Sequence, residues 1–89
     1  MIRVKIRIFD LNLRSLTGES EINLDTEAST MGELISELDK RYGGSVSAEI
    51  LKRELVILLN GRNINVLDGF KTKIADGDEI VITPLFAGG

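Results

Sequence analysis

Residues 30–44, Thr30-Met31-Gly32-Glu33-Leu34-Ile35-Ser36-Glu37-Leu38-Asp39-Lys40-Arg41-Tyr42-Gly43-Gly44, read as the main helix of the chain. Thr30 and Glu33, three residues apart, give a capping-box signature, and the basic last turn of Lys40 and Arg41 runs into Gly43-Gly44, a flexible stop. Leu34, Ile35, Leu38 and Tyr42 share one apolar stripe at helical spacing. In a chain of 89 residues such a stripe is core, and it has to cover the face of a sheet.

Strand signals stand on both sides of this helix. Upstream, Ile2, Val4, Ile6 and Ile8 alternate with Arg3, Lys5 and Arg7, the period of a strand with one buried and one wet face. Asp10 to Gly18 reads as a polar connection carrying Leu11, Leu13 and Leu16, with a short turn of helix. Glu19 to Asp25 then returns as the second strand of a hairpin. Downstream, Ser45 to Glu54 offers a short helical turn at Ile50 and Leu51. Leu55 to Leu59 is a continuous apolar run ending at the turn dipeptide Asn60-Gly61, after which Asn63 to Val66 alternate as a short strand. Leu67 to Ala75 is a connection in which Leu67, Phe70 and Ile74 are expected to dip inward. Asp76-Gly77-Asp78 turns the chain into a last strand, Ile80 to Thr83. Pro84 cannot donate to a ladder and ends it. The order strand, strand, helix, strand, strand, strand predicts an α+β chain of β-grasp type: a mixed sheet of about five strands on one helix. Residues 1–84 are expected to form the domain and residues 85–89 a C-terminal tail.

Composition removes most catalytic chemistries. The chain has no cysteine and no histidine, so disulfides, thiolate metal sites, cysteine nucleophiles and imidazole bases are excluded. Eleven basic and fourteen acidic residues give a net charge of -3 without a basic cluster, which argues against nucleic acid as a partner. No apolar run is long enough to cross a membrane. The expected setting is therefore soluble and cytoplasmic, with no membrane partner. Asp76, Asp78 and Glu79 lack the ligand set of a cation site and read as a solvated turn.

Several segments taken together resemble the small subunit of molybdopterin synthase, within the family of ubiquitin-like sulfur carriers and small archaeal modifiers. They are Val4 to Phe9 with Leu13-Arg14 and Gly18, Leu55 to Gly61, Asp76 to Ile82, and Pro84 with the terminal Gly88-Gly89. Leu85 and Phe86 depart from that pattern, where a second proline and a valine are common. The resemblance implies a carrier whose Gly89 carboxylate is adenylated with ATP by a ubiquitin-activating-type adenylyltransferase, then thiocarboxylated by a persulfide donor. The sulfur would pass to the molybdopterin synthase large subunit. Implied alternatives are a modifier joined through Gly89 to target-protein lysines, or a sulfur carrier for thiamine or tRNA thiolation. No cofactor would be bound by the chain itself, the ATP belonging to the activating enzyme, and no residue within the chain would be catalytic.

The tail suits that chemistry. Neither Gly88 nor Gly89 has a Cβ, so the end can thread a narrow channel and take backbone angles closed to other residues. At a glycine usage of roughly 7%, two terminal glycines arise by chance in about 0.5% of chains. Phe86 and Ala87 complete the tail. Phe86 and Leu85 either fold back on the core or are held for a partner. Both faces of Leu55 to Leu59 are apolar and only one meets the helix. The other, with Val81, is a candidate partner surface, unless it forms a second small core under the Leu67 to Ile74 loop.

Overall fold

The computed structural model describes residues 1–85. At its centre the first strand, β1 (Ile2–Ile8), pairs antiparallel with β2 (Glu21–Thr26) on one side and parallel with β5 (Glu79–Thr83) on the other. The strand β3 (Val56–Leu59) pairs antiparallel with β5 and with the two-residue β4 (Arg62–Asn63), giving the order β2-β1-β5-β3-β4. The described residues also hold three α-helices, α1 (Leu11–Thr17), α2 (Met31–Tyr42) and α3 (Val46–Lys52). This is the β-grasp arrangement.

The core lies between one sheet face and α2. Val4, Ile6 and Ile8 of β1 and Ile80 and Ile82 of β5 are sealed under Met31, Leu34, Ile35 and Leu38 of the helix. Each such side chain contributes about 1.5–3 kcal/mol on burial. Alternation along β1 was legible because only one face of the sheet is covered. Met31, absent from the expected stripe, joins it because it stands one turn before Leu34 and Ile35.

The start of α2 differs from the predicted box in one bond. Thr30 Oγ1 accepts from the Glu33 amide at 3.2 Å, but the Glu33 carboxylate reaches one residue further back, accepting from the Ser29 amide at 2.7 Å and the Ser29 hydroxyl at 2.9 Å. These bonds, the Ser29 amide first, hold the Glu33 carboxyl below its ordinary value of 4.5. A depressed folded-state value means this contribution is whole above the unfolded value and is lost as pH falls through the folded one. Stability should therefore hold from neutrality down to about pH 5 and then fall, and Glu33→Gln should flatten part of that decline in acid-titration melts.

Four local expectations are corrected. The short turn of helix expected within Asp10 to Gly18 is the seven-residue α1, which turns only Leu13 fully into the core and leaves Leu11 exposed. Ser45 to Glu54 holds a full helix, α3, whose Val46 and Ile50 are buried while Leu51 is exposed. The strand predicted over Asn63 to Val66 stops at Asn63. There the Asn63 side chain accepts from the Asn65 amide at 2.9 Å, an Asx turn that draws Ile64–Val66 into a 3₁₀ turn. Phe70 is 46% exposed, because its backbone rests on α2: a Cβ on Gly32 would come within 3.1 Å of the Phe70 carbonyl oxygen. That loop is bonded to the helix side, through Met31 N–H to Thr72 C=O and Ile74 N–H to Ser29 C=O, and Ile74 joins the main core. It makes no second core beneath Val81.

Asp10 is a buried carboxylate of a different kind. Only 2% exposed, it caps α1 by accepting from the Leu13 amide at 3.1 Å and accepts from Arg53 Nη2 at 2.9 Å. The pair fastens the end of α3 to the start of α1.

Candidate functional site

Gly89 and Gly88, the predicted reactive end, lie outside the described residues, as do Ala87 and Phe86. What is described is the ground from which that tail departs. β5 is held on both edges, by β1 and β3, so the chain reaches Pro84 from a strand fixed within the sheet. The turn before β5 is equally fixed. Asp76 accepts from the Arg3 amide at 2.8 Å, and Asp78 accepts from the Ala75 amide at 2.7 Å and the Asn60 side-chain amide at 2.9 Å. These acids build the turn.

Val81 lies where the alternation predicted, on the face away from α2, half-buried among its sheet neighbours. Register places it between Arg7 of β1 and Leu58 of β3, with Val56 opposite Thr83 one step along. Arg7 is held 3.5 Å from both Glu21 and Glu79. Phe9 continues the β1 side of this face, half exposed, with the Arg14 guanidinium 5.7 Å from its ring centre. The outer sheet is thus an apolar strip of Phe9, Val81, Leu58 and Val56 bordered by arginine, a composition suited to protein contact.

Leu85 is 75% exposed and does not extend the row of Val81. Past Pro84 it lines a groove of about 370 Å³ at the β3 edge, with Leu51, Phe70 and Val56 among its neighbours. Sequence reasoning missed Leu51 and Phe70 as groove residues and Arg7 and Phe9 as neighbours of Val81, while Leu58 belongs to the outer face of Leu55 to Leu59 that was expected beside it. Alternation in β1 could have found Arg7 and Phe9. The groove is assembled from segments distant in sequence and carries no local signal.

The described part of the site is thus a strand paired on both edges and an apolar strip, in a chain that has neither histidine nor cysteine. Among the described residues, no helix is long and apolar enough to cross a membrane.

Comparison with known proteins agrees with this picture. The chain is 32% identical over 85 residues to a putative sulfur carrier protein of Archaeoglobus fulgidus, covering 89% of this chain and 96% of that protein. It is 31% identical over 94 residues to small archaeal modifier protein 3 of Haloferax volcanii, covering 99% of this chain and 100% of the other. The solution structure of small archaeal modifier protein 1 from Methanosarcina acetivorans matches with a TM-score of 0.75 at 30% identity, over 100% of this chain and 98% of that one. The model of the ThiS family matches residues 7–89, through the diglycine itself, and the chain belongs to that family.

Proposed function

We propose that this protein is a ubiquitin-like sulfur carrier that works through the carboxylate of Gly89. A free carboxylate is a poor acyl electrophile. An activating enzyme therefore joins it to AMP, with attack of a carboxylate oxygen on the α-phosphorus of ATP and departure of pyrophosphate. The terminal sulfur of a persulfide then displaces AMP from the acyl carbon, and a second thiol cleaves the resulting acyl disulfide, leaving Gly89 as a thiocarboxylate. ATP and its metal belong to the activating enzyme, and this chain is its co-substrate. The observation that carries the reading is a diglycine that begins five residues after the end of a doubly paired strand, within the stretch matched to the family.

For the sulfur's destination we favour the large subunit of molybdopterin synthase, on the likeness of Leu55 to Gly61 and Asp76 to Ile82 to the small subunit of that enzyme. Conjugation of Gly89 to target lysines is the second reading, favoured by the likeness to a small archaeal modifier over 99% of the chain. The two share the adenylate and differ in what attacks it, a sulfur or an amine.

The test is intact-mass spectrometry after incubation with ATP, an activating enzyme and a sulfur donor, with fragmentation to place any change. Fragmentation matters because oxidation of Met1 or Met31 adds nearly the same mass as exchanging oxygen for sulfur. Replacement of oxygen by sulfur at Gly89, absent when Gly89 is deleted, is the expected result. An unchanged terminus with a demonstrably active enzyme overturns the carrier reading, and an isopeptide between Gly89 and a lysine in the host proteome favours the modifier.

The outer strip is the surface we assign to the activating enzyme or synthase. Val81→Asp places a charge at its centre and should weaken capture of either partner by about tenfold, the cost of a modest interface hot spot. The far-ultraviolet circular dichroism spectrum should stay that of the folded chain. Undiminished capture in a pull-down removes Val81 from the interface.

A further inference from the structure

Asn60-Gly61 is a chemically vulnerable pair. The backbone nitrogen of the residue after an asparagine can attack the side-chain amide carbon, expelling ammonia and closing a succinimide ring, and a glycine there offers the least obstruction. Asn60 alone precedes glycine, whereas Asn12, Asn23, Asn63 and Asn65 each precede leucine, isoleucine or valine. The carrier chemistry at Gly89 makes no use of this pair.

The fold holds the pair in the wrong shape for that reaction. Leu59 stands opposite Arg62, so Asn60 and Gly61 form a two-residue hairpin loop, and their φ values of 50° and 85° are those of a type I′ turn. In such a turn ψ at the first residue is about +30°, which points the following nitrogen nearly opposite Cβ. Ring closure needs the two almost eclipsed. The side chain is also tied at both of its polar atoms. Its Oδ1 accepts from the Glu79 amide at 2.9 Å and its Nδ2 donates to Asp78 Oδ1 at 2.9 Å, while the Asn60 amide donates to the Glu79 carbonyl at 2.8 Å. Asn60 thus pairs with Glu79 partly through its side chain, and carries the β3-β5 ladder one step beyond Leu59 and Ile80. Asp78 is fixed in turn, its other oxygen accepting from the Ala75 amide at 2.7 Å.

We propose that Asn60 is a modification site that reads the opening of this end of the sheet. Only a molecule whose loop has come away from Asp78 and Glu79 can swing the Gly61 nitrogen onto the amide carbon. That nitrogen bonds to Cγ, the Cγ–Nδ2 bond breaks, and Nδ2 leaves as ammonia with the proton that Gly61 gives up. Water then opens the ring to aspartate or isoaspartate. Neither product restores the clamp. Aspartate sets an oxygen without a proton where Nδ2 donated, against the Asp78 carboxylate, and isoaspartate adds a methylene to the main chain of a loop only two residues long. The change is therefore one-way and leaves β5 loosened at its start. It needs neither Gly89 nor an activating enzyme, so it stands or falls apart from the carrier reading.

The test is peptide mapping by mass spectrometry of the full-length chain held at mildly alkaline pH, beside the capped peptide leucine-leucine-asparagine-glycine-arginine. Hydrolysis at Asn60 is expected about 10²-fold slower in the folded chain than in the peptide, because only the opened fraction reacts. Asp78→Ala should speed it about tenfold in the folded chain, by loss of one clamping bond, and leave it unchanged in the urea-unfolded chain. Asp76→Ala frees the Arg3 amide in the same turn without touching Asn60, and should speed it less once urea has brought both variants to equal stability. In Asn60→Asp, hydrogen exchange at the Glu79 amide should be about tenfold faster, and adding Asp78→Asn, which exchanges donor for acceptor, should restore it. Three results overturn the proposal: hydrolysis in the folded chain as fast as in the peptide, equal effects of Asp78→Ala and Asp76→Ala at equal stability, or exchange at Glu79 unaltered by Asn60→Asp.

Discussion

Gly88→Val is expected to cut formation of the Gly89 thiocarboxylate on the order of 10²-fold while leaving the fold and its melting temperature unchanged. The substitution adds a branched Cβ next to the reacting carboxylate. It narrows the backbone angles open to residue 88 and adds bulk where a catalytic channel has to admit the tail. A displacement of about 1 Å at a reacting centre is enough for a loss of that size. Gly88→Ala should lie between the two, because alanine adds the Cβ without the branch. The measurement is the initial rate of adenylate formation, by pyrophosphate release, beside the rate of thiocarboxylate formation by mass spectrometry. An equal fall in both places the obstruction at the activating enzyme. Unchanged rates in both remove the requirement for a bare diglycine, and with it the reason for assigning the tail its role.

Ile80→Ala is expected to be the most damaging of the conservative core truncations, costing about 4 kcal/mol. Ile80 is fully buried in β5, with Ile6 of β1 on one side and Leu59 of β3 on the other. Truncation leaves a cavity in the middle of the sheet, where paired strands on both sides limit collapse. A domain of this size has roughly 5–13 kcal/mol of stability, so the loss is a large part of the whole. The melting temperature should fall by roughly 16–32 °C in thermal circular dichroism, and a fall of only a few degrees would mean that the β1-β5-β3 centre repacks.

What could be read from the residues follows from the range of each interaction. Asn60-Gly61 and Asp76-Gly77-Asp78 announce their turns because the chemistry is within the turn: Asn60 at φ 50 and Gly61 at φ 85 take the left-handed angles of a tight hairpin. The caps of α2 and the alternation of β1 are local in the same sense. Phe70 was misjudged because its exposure depends on Gly32, a residue on another element that lets the loop backbone approach. The early end of β4 depends on a single side-chain bond from Asn63 that competes with the ladder. The diglycine was legible by composition and place, and Val81 by alternation.

The parallel ladder of β1 with β5 joins the two ends of the sequence, Lys5 opposite Glu79 and Ile8 opposite Ile82. Without β5, β2-β1 and β3-β4 share no strand and the sheet falls into two halves. Such non-local pairing forms late and slowly. Synthesis runs from the amino end, so the core cannot close until β5 has left the ribosome. A product aborted anywhere before β5 therefore lacks the one strand that unites its two hairpins, and has no folded body from which to display a tail.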